Sequence, residues 1–146
     1  MFKKSLVAVL FSLIMAMVLG TSAFAAEGTS SESASKNGEA QEIINKVNDQ
    51  ITKEIKEAQT SADELFKKYN SDLKTTENVS EQKKLYATYN REINVLINNL
   101  KATTRELTLE GMKAAREIGV NTRPELIRVE FADRFAMIDP MVGVGW

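Results

Sequence analysis

The chain contains no cysteine and no histidine. Without thiols nothing in it can be stapled covalently, even in an oxidising compartment. Without imidazole or thiolate, Ser-His and Cys-His nucleophilic catalysis is excluded, as are zinc on His or Cys, haem on His and iron–sulfur clusters on Cys. Carboxylate, Lys, Tyr, Ser and Thr chemistry remains. Proline is nearly absent too, with only Pro124 and Pro140. An excess of positive charge is also missing: 19 basic residues stand against 20 acidic ones, with signs interspersed. That argues against nucleic acid, which requires a basic stripe.

One long hydrophobic run does occur, at the N-terminus. Lys3 and Lys4 precede an almost wholly apolar stretch from Ser5 to Leu19, and Ala23-Phe-Ala25 offers small residues to a signal peptidase. The pattern predicts a secretory signal over residues 1–25, cleaved after Ala25. The run is short for a membrane span and no stop-transfer charges follow it, so membrane attachment after cleavage is not expected. Removing Lys3 and Lys4 leaves 17 basic and 20 acidic residues, a net charge of −3 for the mature chain. The expected location is outside the cell or in its envelope. Residues 26–38 are small, polar and without any hydrophobic residue larger than Ala. Such a segment buries too little to order itself, and it reads as a flexible linker.

From Glu39 the pattern is helical. Ile44, Val47, Ile51, Ile55, Ala58, Ala62, Leu65, Tyr69 and Leu73 follow one another at steps of 3, 4, 4, 3, 4, 3, 4 and 4, the period of one helix face. Leu85, Tyr86, Tyr89, Ile93, Leu96, Ile97, Leu100 and Leu107 continue it. Between the halves, Asn78-Val-Ser-Glu81 has the form of a capping box, with Asn78 accepting from the backbone and Glu81 reaching back. The same three residues from Asn78 match an N-glycosylation acceptor, but capping accounts for them. Two stripes facing each other can bury what neither buries alone. The expected fold is mainly α, a long antiparallel helical hairpin of residues 39–74 and 79–118 within a single domain of residues 39–146. Gly119 is placed to end the second helix. Thr103, Thr104, Thr108 and Gly111 form a soft spot, and Gly111 falls on the apolar seam. It either admits a close neighbour or breaks the helix, and continuity is the expectation.

After Gly119 the period changes to two. Ile127, Val129 and Phe131 alternate with Arg128 and Glu130, and Phe135-Ala-Met-Ile138 follows, so a β-hairpin over 126–138 is expected. A three-residue loop would set Phe131 opposite Phe135 and Val129 opposite Met137. A lone hairpin is marginal in water, so its place is at the open end of the helices, over Ile43, Val47, Met112 and Ile118. The tail from Met141 supplies a third short strand.

No chemical site emerges. Carboxylates alternate with Lys and Arg as on solvated helix faces, Asp133 and Asp139 are too few for a calcium loop, and Gly143-Val-Gly145 precedes no helix. No metal, cofactor or small-molecule ligand is inferred. Recognition is sought instead where apolar residues concentrate, at Met137, Ile138, Met141, Val142, Val144 and Trp146, although the same residues could fold onto the helices as core. The expectation is a secreted, non-enzymatic interaction protein that binds a protein partner or itself. The alternative is a secreted antimicrobial or toxin-like factor acting on membranes, which the mixed-sign helices suit poorly.

Overall fold

A computed structural model describes residues 29–143, with side chains from Lys36 onward. The expected signal peptide, Val144 and Trp146 lie outside the described residues. Helix α1 (Thr29–Thr75) and helix α2 (Val79–Glu117) are followed by strands β1 (Thr122–Pro124), β2 (Ile127–Phe131), β3 (Arg134–Ile138) and β4 (Met141–Gly143). The two helices pack together, as their facing apolar stripes require.

Helix α1 starts at Thr29, within the segment 26–38 read from the sequence as a linker. Ser, Thr and Gly38 disfavour a helix by less than about 1 kcal/mol each, and adding residues to an existing helix needs no new nucleus. At the turn, Asn78 caps α2, its Oδ1 accepting from Ser80 N at 2.8 Å and from Glu81 N at 3.4 Å. The side chain that reaches back is Gln82, which donates to Thr76 O at 2.7 Å, rather than Glu81. Helix α2 runs unbroken through Gly111 and stops where Gly119 turns left-handed at φ 85°.

Strands β2 and β3 pair antiparallel, and so do β1 and β4. The register is unshifted from Thr122↔Gly143 to Phe131↔Arg134, and between the ladders Glu125 N donates to Pro140 O at 2.9 Å. The strands are therefore one long ribbon, interrupted where Pro140 has no N–H to offer. Strand β1 was not expected from the sequence, because Thr-Arg-Pro carries no alternation and ends in the residue that demotes a strand.

The ribbon corrects the expected register. Its loop has two residues, Ala132 and Asp133, with Ala132 left-handed at φ 46°. Phe131 pairs with Arg134, Val129 with Ala136, and Glu130 with Phe135. Losing one loop residue turns every β3 side chain to the opposite face. Ala136 and Ile138 go inward, while Phe135 and Met137 go outward.

The core is drawn from both helices and the ribbon: Ile44, Ile51, Ala58 and Ala62 of α1, Ile93, Ile97, Leu100 and Ala115 of α2, and Val129, Phe131, Ile138 and Met141 are all buried. Phe131, Ile138 and Met141 are almost fully buried, worth about 1.5–3 kcal/mol each. The soft spot explains itself here: Thr104, Thr108, Gly111 and Ala115 are all buried in α2, a small-residue strip that lets a strand lie close. A Cβ on Gly111 would stand 2.6 Å from Val47 Cγ2 and 3.0 Å from Met141 Sδ. Gly111 thus admits a close neighbour and does not break the helix. The base of the ribbon sits at the open end of the hairpin, on Gly111 and near Ile44. Its tip extends farther than expected, to Tyr89. From Gly111 back to Tyr89 the helix spans about 33 Å, a distance that an extended strand from Met141 to Asp133, about 26 Å, largely covers. Ile43, Val47, Met112 and Ile118, the residues expected beneath the hairpin, are only half-buried.

Candidate interaction surface

The ribbon has an inner face fixed on the helices and an outer face in solvent. Cross-strand partners share a face, so Arg128 with Met137 and Glu130 with Phe135 stand outward. Leu126, just before β2, is 64% exposed, Phe135 53% and Met137 39%. These are large apolar side chains on a short strip, unlike the single exposures of Val95 and Leu109 on α2. Arg128 crosses the strip with its guanidinium 3.9 Å from the centre of the Phe135 ring, and its Nε donates to Glu130 Oε1 at 2.7 Å. The outer face therefore carries one internally neutralised ion pair on an apolar bed.

Polar anchors beneath hold this face rigid. At the tip, Arg134 donates through Nε and Nη2 to the two carboxylate oxygens of Asp133 at 2.9 and 3.1 Å. It also donates to Asn94 Oδ1 at 3.1 Å and to Asn90 Oδ1 at 2.8 Å. Tyr89 Oη donates to Asp133 Oδ1 at 2.8 Å. Arg134 holds the Asp133 carboxyl below its usual range, and the Tyr89 bond lowers it further. Burial, reinforced by that carboxylate, pushes the Tyr89 hydroxyl up to about 12. The cluster keeps its proton on Tyr89, and Asp133 spends its lone pairs on Arg134 and Tyr89. It is built to fasten. Tyr89 also stacks on Tyr69 at 4.9 Å and leans on Phe66 at 5.8 Å, tying the tip to both helices.

Nearer the base, Asn48 imitates a neighbouring strand. Its Nδ2 donates to Met141 O at 2.8 Å and its Oδ1 accepts from Met141 N at 2.9 Å. Met141 pairs with Pro124, which has no N–H to offer from across the ladder. Thr108 Oγ1 donates to Asp139 O at 2.6 Å and Gln59 Nε2 to Glu130 O at 2.9 Å. Strand backbone groups that point away from their partner strand are thus satisfied by the helices.

The residues picked from the sequence divide. Met137 lies on the exposed strip, Val142 is half-buried, and Ile138 and Met141 are core. The structure brings Met137 together with Arg128, Glu130 and Phe135, and Leu126 and Phe135 are the exposed apolar residues that sequence reasoning missed. The missed signal was the loop length, because the alternation alone is compatible with either face.

Two other features take no chemistry. A shallow depression of about 420 Å³ lies at the closed end of the hairpin between Tyr69, Leu73, Val79, Gln82, Lys83 and Tyr86. Gln82 already spends its amide on Thr76, which leaves few converging polar groups to orient a small molecule. Among the described residues no group of acidic side chains could hold a metal ion, and no helix is long and apolar enough to cross a membrane. Compared with known proteins, the chain matches no protein-family model, no curated protein and no solved structure.

Proposed function

We propose that this chain is an exported, non-enzymatic interaction protein of the cell envelope or extracellular space, and that it binds protein through the outer face of its ribbon. The observation that carries the reading is the exposure of Phe135 and Met137 on one face of a ribbon pinned at both ends, with exposed Leu126 just before it in the chain. Clustered apolar side chains held rigidly in solvent lose little freedom on binding, and aromatic, Met and Arg residues are enriched at protein contacts. A lipid-binding face would instead need unpaired cations. Here Arg128 is neutralised by Glu130, which favours protein over an anionic membrane.

The test is photo-crosslinking in the source cells, with a photoreactive residue placed at Met137 or, as a control, at exposed Glu92 on the far side of α2. Protein adducts from Met137 that are absent from Glu92 are expected. Equal labelling from both positions, or none from Met137, would overturn the reading.

A further inference from the structure

We propose that the partner on this face is a second copy of the same chain, docked about a two-fold axis that crosses the ribbon between the Arg128–Met137 row and the Glu130–Phe135 row. The inference rests on the proposed protein-binding role of the face and gives it an occupant.

The argument is the symmetry of the strip. In a two-fold contact each patch meets itself, so every residue must be complementary to the one that the axis sets opposite it. On this ribbon Arg128 and Glu130 are adjacent outward positions of β2, and Met137 and Phe135 are adjacent outward positions of β3, paired row by row. An axis running across the strands between the rows exchanges the rows and keeps the columns. Arg128 then faces Glu130 of the second copy, and Glu130 faces its Arg128. Met137 faces Phe135 of the second copy, the sulfur-on-aromatic pairing that thioethers favour. Within these two rows no like charges meet, and Arg128 and Glu130 each find a second partner.

The pose of Arg128 suits this role. Its guanidinium already lies over Phe135 at 3.9 Å and is held by Glu130 at 2.7 Å, so little side-chain freedom is lost when a second carboxylate arrives. A face with a net charge of one sign would repel its own copy. This one carries the pair in balance.

The experiment is sedimentation velocity of the full chain over a range of concentrations, with the helical circular dichroism of every variant recorded. The wild type is expected to form a concentration-dependent dimer. R128E alone sets Glu against Glu, E130R alone sets Arg against Arg, and each is expected to weaken self-association at least tenfold. The double variant R128E/E130R restores it. An equimolar mixture of the two single variants forms a mixed dimer, because one copy then brings two carboxylates and the other two guanidinium groups. That rescue cannot arise from a folding defect, which mixing would not repair. A monomeric wild type, or a dimer indifferent to both reversals, would overturn the proposal. Adducts from Met137 to a different protein, with the chain monomeric, would overturn self-association and leave the interaction role standing. The absence of any adduct would remove both.

Discussion

Tyr89 and Asp133 lie 44 residues apart in the chain and 2.8 Å apart in the fold. That bond ties the ribbon tip to α2 toward the closed end of the helical hairpin and depends on both partners. Tyr89→Phe keeps the ring stack with Tyr69 and removes only the donor, so a loss of about 1 kcal/mol is expected. Asp133→Asn should cost more, since Arg134 loses its carboxylate as well. A double-mutant cycle by urea denaturation checks the pairing. Strict additivity of the two losses would show that the bond contributes nothing.

The same cluster gives the fold an acid and an alkaline limb. Asp133 titrates lower in the folded chain than in the unfolded one. Its contribution is therefore complete above the unfolded carboxylate value of about 3.9 and is lost as pH falls through the lower folded value. Tyr89 is shifted the other way, to about 12. Its contribution is complete below the unfolded value of about 10 and is lost as pH rises from there toward the folded one. Glu54 and Glu110, raised by burial and by Glu57 and Glu106 respectively, oppose the acid limb. Thermal melts across pH should show Asp133→Asn flattening the acid limb and Tyr89→Phe the alkaline one.

Gly111 sits where helix propensity and packing disagree. Alanine would favour the helix by about 1 kcal/mol, but its Cβ would stand 2.6 Å from Val47 Cγ2. Overpacking of this kind costs about 1–3 kcal/mol. Met141 can bend aside, whereas β-branched Val47 is confined in a helix to essentially one rotamer. Gly111→Ala should therefore destabilise by about 1 kcal/mol. In a Val47→Ala background the same substitution should become neutral or stabilising, as chemical denaturation of the four chains would show.

Asn48 carries two bonds to one backbone residue. Asn48→Ala leaves the N–H and C=O of Met141 without their partner, at a cost of about 2 kcal/mol. Hydrogen exchange gives the sharper reading. The Met141 amide, protected in the native chain, should exchange faster in the variant while amides in the middle of α2 keep their protection relative to global stability.

Much of the helical architecture was legible because it depends on local pattern. The steps of three and four along Ile44–Leu73, the cap at Asn78 and the stop at Gly119 are short-range features, and each holds in the fold. The candidate surface was legible only in part. Met137 was named, but Ile138 and Met141 were named with it and are core, and Leu126 and Phe135 were missed. An alternating strand has two faces, and nothing in Ile127–Phe131 or Phe135–Ile138 says whether the loop between them has two residues or three.

The sequence by itself determined the helices, the absence of thiol and imidazole chemistry, and the presence of a period-two segment after Gly119. Tertiary structure decided which side of that segment faces water, that Thr122–Pro124 is a strand, and that Thr104, Thr108 and Gly111 form a bed and not a break. The physical reason is reach. Helix periodicity and capping are settled within a few residues, whereas the facing of a ribbon is set by partners such as Tyr89 for Asp133 and Asn48 for Met141, which only the folded chain brings together.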